Sequence, residues 1–272
     1  CSFWELIQKD DCRERQIAQE ESFVQLQRMY QAMKEADQDY DETLHSRSGL
    51  VGTDGGKLEH YVEQEEPICG DFLGRVMEKA VKMGESNACM KRIVAAPTAG
   101  ACGVVPAVFL SMQEKYHYTD EEMTKALYVA AGIGGVIASR AFIAGAQGGC
   151  QAEIGSASAM AAGGAVHLRG GSAEAVAHAA AMALKNLLGL VCDPVAGLVE
   201  VPCVKRNVSG AVVALSAADM ALAGVRSRIP PDEVIDAMRE VGISMPACLR
   251  ETGEGGLAAT PEGIKMRDRI MD

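Results

Sequence analysis

The chain has 272 residues, enough for one large domain or for one domain with an appendage. Its formal net charge is −11, so a phosphate backbone would meet net repulsion; since the sequence has no basic stripe, we expect no nucleic-acid partner. Aromatic residues make up only 4% of the chain, whereas alanine, glycine and methionine are abundant. This composition favours closely packed helices over strands.

The N-terminal segment 1–56 is more polar than the rest of the chain and is predicted to be helical. Within residues 11–45 charged and apolar residues alternate, and four apolar residues recur at helical spacing: Phe23, Leu26, Tyr30 and Met33. This spacing predicts an amphipathic outer helix. Glycines at 46–56 interrupt it, and a second polar helix is predicted over Phe72–Met83.

Residues 93–225 alternate glycine-rich turns with small-residue helices, and we expect this half to hold the functional site. The sequence YTDEE at 118–122 predicts the start of a helix over 120–146, because acidic residues in a first turn suit the helix dipole. PPDEV at 230–234 predicts the start of a final short helix, with proline at its entrance. The longest apolar run, 126–138, is shorter than the about 20 residues that cross a bilayer, and predicts a buried helix without a membrane anchor.

These elements predict an all-α fold in which residues 1–272 form a single domain of roughly ten helices around a buried central helix. No signal segment opens the sequence, and nine scattered cysteines do not resemble the disulfide framework of a small secreted protein. We therefore expect a cytoplasmic protein with reduced thiols. Because the sequence begins at Cys1 and not at methionine, we also expect it to be trimmed or to come from a larger polypeptide.

Three cysteines differ from the others in their local sequence. Cys150 follows a glycine pair, and Cys192 and Cys203 each lie beside a proline. Free backbone N–H groups at such turns lower a thiol's pKa and favour metal binding, although spacings of 42 and 11 residues are too wide for the paired cysteines of structural zinc sites. The other interpretation is a small buried hydrophobic residue. We assign that second role by default to three cysteines on polar or outer segments, Cys12, Cys69 and Cys89.

Longer motifs around these cysteines help to decide between metal binding and a buried hydrophobic role. APTAGACGVVPAV (96–108), GAQGGCQAEIGSASAMAAGG (145–164) and CDPVAGLVEVPCVKRN (192–207) together resemble the α, or catalytic, chain of the bacterial iron–sulfur L-serine dehydratases. GISMPACLRETGEGGLA (242–258) resembles the C-terminal signature of that family, and the match runs from about residue 49 to 258. The resemblance implies an all-helical catalytic domain with an oxygen-sensitive [4Fe–4S] cluster, whose three cysteine ligands match Cys150, Cys192 and Cys203. It also implies a β subunit or second domain, which this sequence lacks, and hence a hetero- or homo-oligomer.

The chemistry implied by the resemblance is the deamination of L-serine. Three thiolates leave one iron of the cluster open, and an open iron acts as a Lewis acid on the carboxylate and β-hydroxyl of serine. A base removes the Cα proton, and the products are pyruvate and ammonia. Some single-chain relatives end in a cysteine that reaches the cluster, whereas the last cysteine here is Cys248.

Candidate substrate-binding residues lie in two polar turns. Lys205 and Asn207, just past Cys203, are candidates for the substrate carboxylate, and Thr98 lies in the glycine-rich turn PTAGACG, which is able to approach a small ligand. Alternatively, the turn that carries Lys205 and Asn207 is a solvated charged turn, and the PTAGACG turn is a plain helix cap. None of the five histidines has a convincing catalytic setting, so the base is unassigned and is expected from the partner chain.

Three other functions stay open at this point. A cysteine desulfidase would use the same cluster, since thiol and hydroxyl leaving groups both suit an open iron. Pyridoxal phosphate chemistry at Lys205 or Lys185 is the usual route for serine deamination, but neither lysine is paired with a phosphate-cradling helix start. A non-enzymatic iron–sulfur protein would need a fully ligated cluster, and the missing fourth cysteine argues against it.

Overall fold

The structure is a computed structural model that describes residues 2–271, and these residues form an all-α fold, as predicted. They contain no β-sheet, only one isolated bridge between Cys192 and Arg250. A π-helical turn, Gln151–Gly155, and three short 3-10 turns complete the described part. Its twelve α-helices are α1 (Phe3–Arg15), α2 (Gln19–Gln38), α3 (Asp54–Gln64), α4 (Gly70–Ala88), α5 (Val104–Tyr116), α6 (Asp120–Arg140), α7 (Gly145–Gly148), α8 (Ser156–Leu168), α9 (Ala173–Lys185), α10 (Cys203–Leu222), α11 (Pro231–Ser244) and α12 (Pro261–Met271).

The N-terminal amphipathic helix is two helices in the structure. The chain turns at Gln16, whose backbone is left-handed (φ 54°), and α2 starts again at Gln19. Tyr30 and Met33 are buried, so the inward face of α2 was predicted correctly. Neither glycine nor proline marks the break at residue 16, which is why the periodicity alone ran across it.

The second polar helix, α4, is longer than predicted and lies inside the fold despite its polar sequence. It packs between α3, α5 and α10 and buries four charged residues, Glu78, Lys79, Lys82 and Glu85. Lys82 Nζ lies 2.7 Å from Glu78 and 2.6 Å from Glu59, and Lys79 Nζ lies 2.9 Å from Asp37. Buried charges are tolerated when they are paired in this way, so polarity did not indicate exposure here.

The central helix of the fold is α8. Residues 156–166 are all buried, and α8 packs against α5, α6, α9 and α10. Its small residues permit this close approach: a Cβ added at Gly164 would overlap the ring of Phe109. The apolar run 126–138 lies in α6, which exposes Val136 and neighbouring small residues on one face.

Two predicted helix starts are confirmed, but the first helix ends earlier than predicted and the second is not the final helix. Thr119 caps α6, accepting a hydrogen bond from the Glu122 N–H at 3.2 Å, but the helix ends at Arg140, where the backbone becomes extended. Pro231 opens α11, yet α12 follows it. Within residues 2–271 no helix combines the length and the apolar character that crossing a membrane requires.

Candidate functional site

The three cysteines singled out by sequence lie on three different elements and meet in the core. Cys150 precedes the π-helical turn, Cys192 lies in the loop after α9, and Cys203 is the first residue of α10; each is at most 6% exposed. A hydrogen bond with Cys150, burial and the nearby Cys203 raise the pKa of the Cys192 thiol. Burial, Cys150 and Glu153 raise the pKa of Cys203 to about 12, against a smaller opposing effect of Arg206. The thiols therefore form one group.

Local backbone geometry holds Cys150 beside the loop that carries Cys192. Gly149 has φ +75°, and a Cβ there would lie 2.7 Å from the Met245 side chain, so the position requires glycine. The next residue, Gln151, is fully buried and hydrogen-bonds through its backbone N–H to Leu190 O at 2.9 Å. Its side chain accepts from Gly189 N–H at 2.9 Å, which ties the same loop a second time.

The C-terminal segment is hydrogen-bonded to the backbone of Cys192. The backbone N–H of Cys192 donates to Leu249 O at 2.8 Å, and its backbone carbonyl accepts from the Glu251 N–H at 2.7 Å, which forms the isolated bridge opposite Arg250. The Nε of Arg250 is buried without a hydrogen-bond partner in the described part of the chain. The segment that resembled a family signature is therefore part of the thiol site.

The residues predicted to bind substrate are placed differently from one another. Thr98 lies beside the carboxyl of Glu153, close to the thiols. Asn207 is 1% exposed and ties the turn at 100–103 to α10: it accepts from Gly103 N–H and donates to Gly100 O, both at 2.9 Å. Lys205 is exposed and pairs with Asp54 at 2.9 Å. Substrate binding by all three residues stays a prediction.

Glu153, in the π-helical turn, was missed by the sequence analysis. Burial raises the pKa of its carboxyl, and Glu251 adds to the rise; the Thr98 hydroxyl and the Gly145 N–H act against it. Thr98 Oγ1 is buried and makes no hydrogen bond of standard geometry within residues 2–271. A single acidic residue in the small-residue motif CQAEIGSASA was the signal that could have found it, and π-helical turns occur often at functional sites.

Comparison with known families bears directly on this site. The family model described as "Serine dehydratase alpha chain" matches residues 1–258, which include all three thiols, Glu153 and the C-terminal segment that is hydrogen-bonded to Cys192. The chain belongs to the serine dehydratase alpha chain family. The resemblance drawn from the motifs is thereby confirmed.

Curated relatives of this family agree with the assignment. The chain is 51% identical over 252 residues to a probable L-serine dehydratase alpha chain of Bacillus subtilis, covering 93% of this chain and 84% of the relative. It is 51% identical over 207 residues to the L-serine dehydratase alpha chain of Peptoniphilus asaccharolyticus, 76% and 71% of the two chains. L-serine dehydratase 1 of Escherichia coli is 45% identical over 181 residues, which are 66% of this chain but only 40% of that protein. Dehydratases are lyases, and the prediction of such an enzyme is confirmed.

The ligand atoms available at the site of this serine dehydratase chain, three cysteine thiols, are of the type that binds an iron–sulfur cluster. Clusters take cysteine thiolates as ligands, and three buried thiols stand together here. No three His, Cys, Asp or Glu side chains within residues 2–271 are arranged around one point for a single metal ion. A cluster needs a different arrangement of ligands, because each thiolate binds a different iron atom and the ligands surround the whole cluster. The donor set therefore fits a cluster.

Proposed function

We propose that this chain is the catalytic chain of an enzyme that converts L-serine to pyruvate and ammonia. The observation that carries the proposal is the grouping of three buried thiols from sequence-distant elements in a member of the serine dehydratase alpha chain family. Cys150, Cys192 and Cys203 would hold a [4Fe–4S] cluster. When bound, a cluster with three protein ligands supplies an open iron that acts as a Lewis acid on the substrate.

The residues of this chain hold and shield the site. Gln151 fixes the segment of Cys150, and Asn207 fixes the first turn of α10 through Cys203 O at 3.0 Å. The segment at 249–251, which pairs with the backbone of Cys192, would shield the thiols from water. Rigid placement of this kind lets a small substrate bind in one orientation.

The complete enzyme is proposed to contain a second part. The alpha-chain names of the relatives, and the 40% share of the Escherichia coli protein that this chain spans, support a β subunit as partner in a hetero- or homo-oligomer. We expect the general base from that partner. Reduced thiols and an oxygen-sensitive cluster suit a cytoplasmic setting. The chain alone, purified under argon, should bind iron but release no pyruvate from L-serine; turnover by the isolated chain would contradict the two-part proposal.

The central experiment measures iron, sulfide and pyruvate formation in cysteine variants of the complete enzyme, purified anaerobically. Cys150→Ser, Cys192→Ser and Cys203→Ser should each lose most iron and sulfide, because serine is a hard and poorly ionised ligand. Cys102→Ser is the matched control: this thiol is also fully buried, with its pKa raised to about 12 by burial, but it packs against Ala36 and Met83. It should keep the cluster.

Several outcomes separate the proposal from its rivals. A Cys192→Ser variant with a full cluster, together with a Cys102→Ser variant without one, would show that the ligand assignment is wrong. A loaded wild-type enzyme that releases sulfide from L-cysteine and no pyruvate from L-serine would be a desulfidase. An aldimine absorption band without iron would indicate pyridoxal phosphate chemistry, and a loaded protein inert to both amino acids would be non-enzymatic.

A further inference from the structure

We infer that the carboxylate of Glu153 binds the α-ammonium group of the amino-acid substrate. The inference rests on the proposed function, because it takes the three thiols as the place where the substrate reacts. It adds a contact that the motifs did not suggest, and it makes the free amino group a requirement for tight binding.

The first argument is the position of the carboxylate. A Cβ added at Gly145 would lie 2.9 Å from Glu153 Oε2 and 3.0 Å from Cys192 Sγ, so the carboxylate and the thiol border the same small space. A Cβ at Gly100 would lie 3.2 Å from each oxygen of the same carboxylate. Glycine at both positions leaves room for the Glu153 head group next to Cys192. A ligand at the thiols would therefore meet this carboxylate.

The second argument is that the carboxylate lacks a cation. Among residues 2–271 no lysine, arginine or histidine forms an ion pair with Glu153. Arg206, the cationic side chain that acts on Cys203, pairs with Asp193 at 2.9 Å. The groups that act on Glu153 are the neutral Thr98 hydroxyl, a backbone amide and a second acid, Glu251. Glu153 is only partly exposed, so water compensates its charge incompletely, and a substrate ammonium group would supply the missing cation.

A second carboxylate of this chain, that of Glu85, has a structural role and differs from Glu153 in its hydrogen bonds. Glu85 is 2% exposed and is clearly structural: it accepts from the backbone N–H groups of Gly52, Asp54 and Gly55 at 3.0–3.2 Å, and from the Tyr40 hydroxyl at 2.7 Å. Within residues 2–271 the hydrogen-bond donors that act on the Glu153 carboxyl are the Thr98 hydroxyl and the Gly145 amide. Its acceptor capacity is thus partly unused in the protein itself.

The test replaces Glu153 in the complete, anaerobically purified enzyme and varies the ligand. L-Alanine keeps the ammonium group of serine and lacks the hydroxyl, whereas 3-hydroxypropanoate keeps the hydroxyl and lacks the ammonium. In Glu153→Gln, calorimetry should show L-alanine binding weakened about 10- to 100-fold and 3-hydroxypropanoate binding unchanged. The KM for L-serine should rise by a similar factor, and Glu153→Asp, which keeps the charge, should recover part of the loss.

Controls make the result specific. Iron and sulfide content and the thermal midpoint of Glu153→Gln should match those of the wild type. Equal weakening of both ligands in Glu153→Gln, or an unchanged KM for L-serine, would overturn the inference. A wild-type enzyme that forms no pyruvate from L-serine would instead overturn the proposed function, so the two failures are distinguishable.

Discussion

Removing one partner of the ion pair between Asp193 and Arg206 should destabilise the thiol site. Asp193 is next to Cys192, and its side chain is 4% exposed, while that of Arg206 is 16% exposed. The carboxylate lies 2.9 Å from Arg206 Nη1, and its other oxygen accepts from the Leu257 N–H at 2.8 Å. Asp193→Ala would leave a largely buried guanidinium without a counter-ion and a backbone N–H without an acceptor.

The burial of the ion pair determines how much Asp193→Ala should lower the stability of the protein. Removing one partner of a buried ion pair costs about 3–5 kcal/mol. The lower value applies here, because Arg206 keeps its 2.7 Å hydrogen bond to Val191 O and some contact with water. A chain of this length loses about 2 °C in melting temperature per kcal/mol, so the midpoint should fall by about 6 °C. The exposed pair of Asp236 with Arg140, at 2.7 Å, is the control, and Asp236→Ala should cost at most about 1 kcal/mol.

The assay is thermal unfolding by far-ultraviolet circular dichroism under argon, with iron content measured in parallel so that loss of a bound cluster is not counted as loss of the ion pair. Asp193→Ala combined with Arg206→Met should be less destabilised than Asp193→Ala alone, because the uncompensated charge is gone. Equal midpoints for Asp193→Ala and Asp236→Ala, or strict additivity in the double variant, would refute the reasoning.

Three further predictions concern the open iron, a glycine and a buried carboxylate. Air exposure should abolish pyruvate formation by the complete enzyme, and ferrous iron with a reductant should restore it; activity that survives prolonged aeration counts against the open iron. Gly149→Ala should lower the free energy of unfolding in urea by about 1–2 kcal/mol more than Gly170→Ala, since both have φ +75° but only the first Cβ would meet the Met245 side chain and Leu190 O. Equal costs for the two would show that the contact relaxes. Glu85→Gln should cost about 2–3 kcal/mol in the same assay, since an amide cannot accept all the hydrogen bonds of the carboxylate, and a change below about 0.5 kcal/mol would contradict this.

Much of the secondary structure was predictable because its signals are local. A threonine followed by acidic residues marks the start of α6, and a proline marks the start of α11, since capping and a fixed φ act within one turn of the backbone. The break at Gln16 carries no such signal, and the prediction missed it. Cys150, Cys192 and Cys203 were separated from the other cysteines by their glycine and proline neighbours, which is again local information.

Position within the fold was decided by tertiary contacts. α6 and α8 are both rich in alanine and glycine, and only their neighbours determine that α8 is central while α6 exposes one face. α4 is buried because its charges meet partners on α2 and α3, which its own sequence does not show.

The sequence by itself determined that the chain is helical, which family it belongs to and which thiols are candidates, because composition, turn chemistry and motifs reside in neighbouring residues. Only the tertiary structure brought together thiols that are 42 and 11 residues apart and placed Glu153 beside them, with no ion-pair partner among residues 2–271. Burial and charge compensation depend on residues distant in the chain, so no local pattern encodes them.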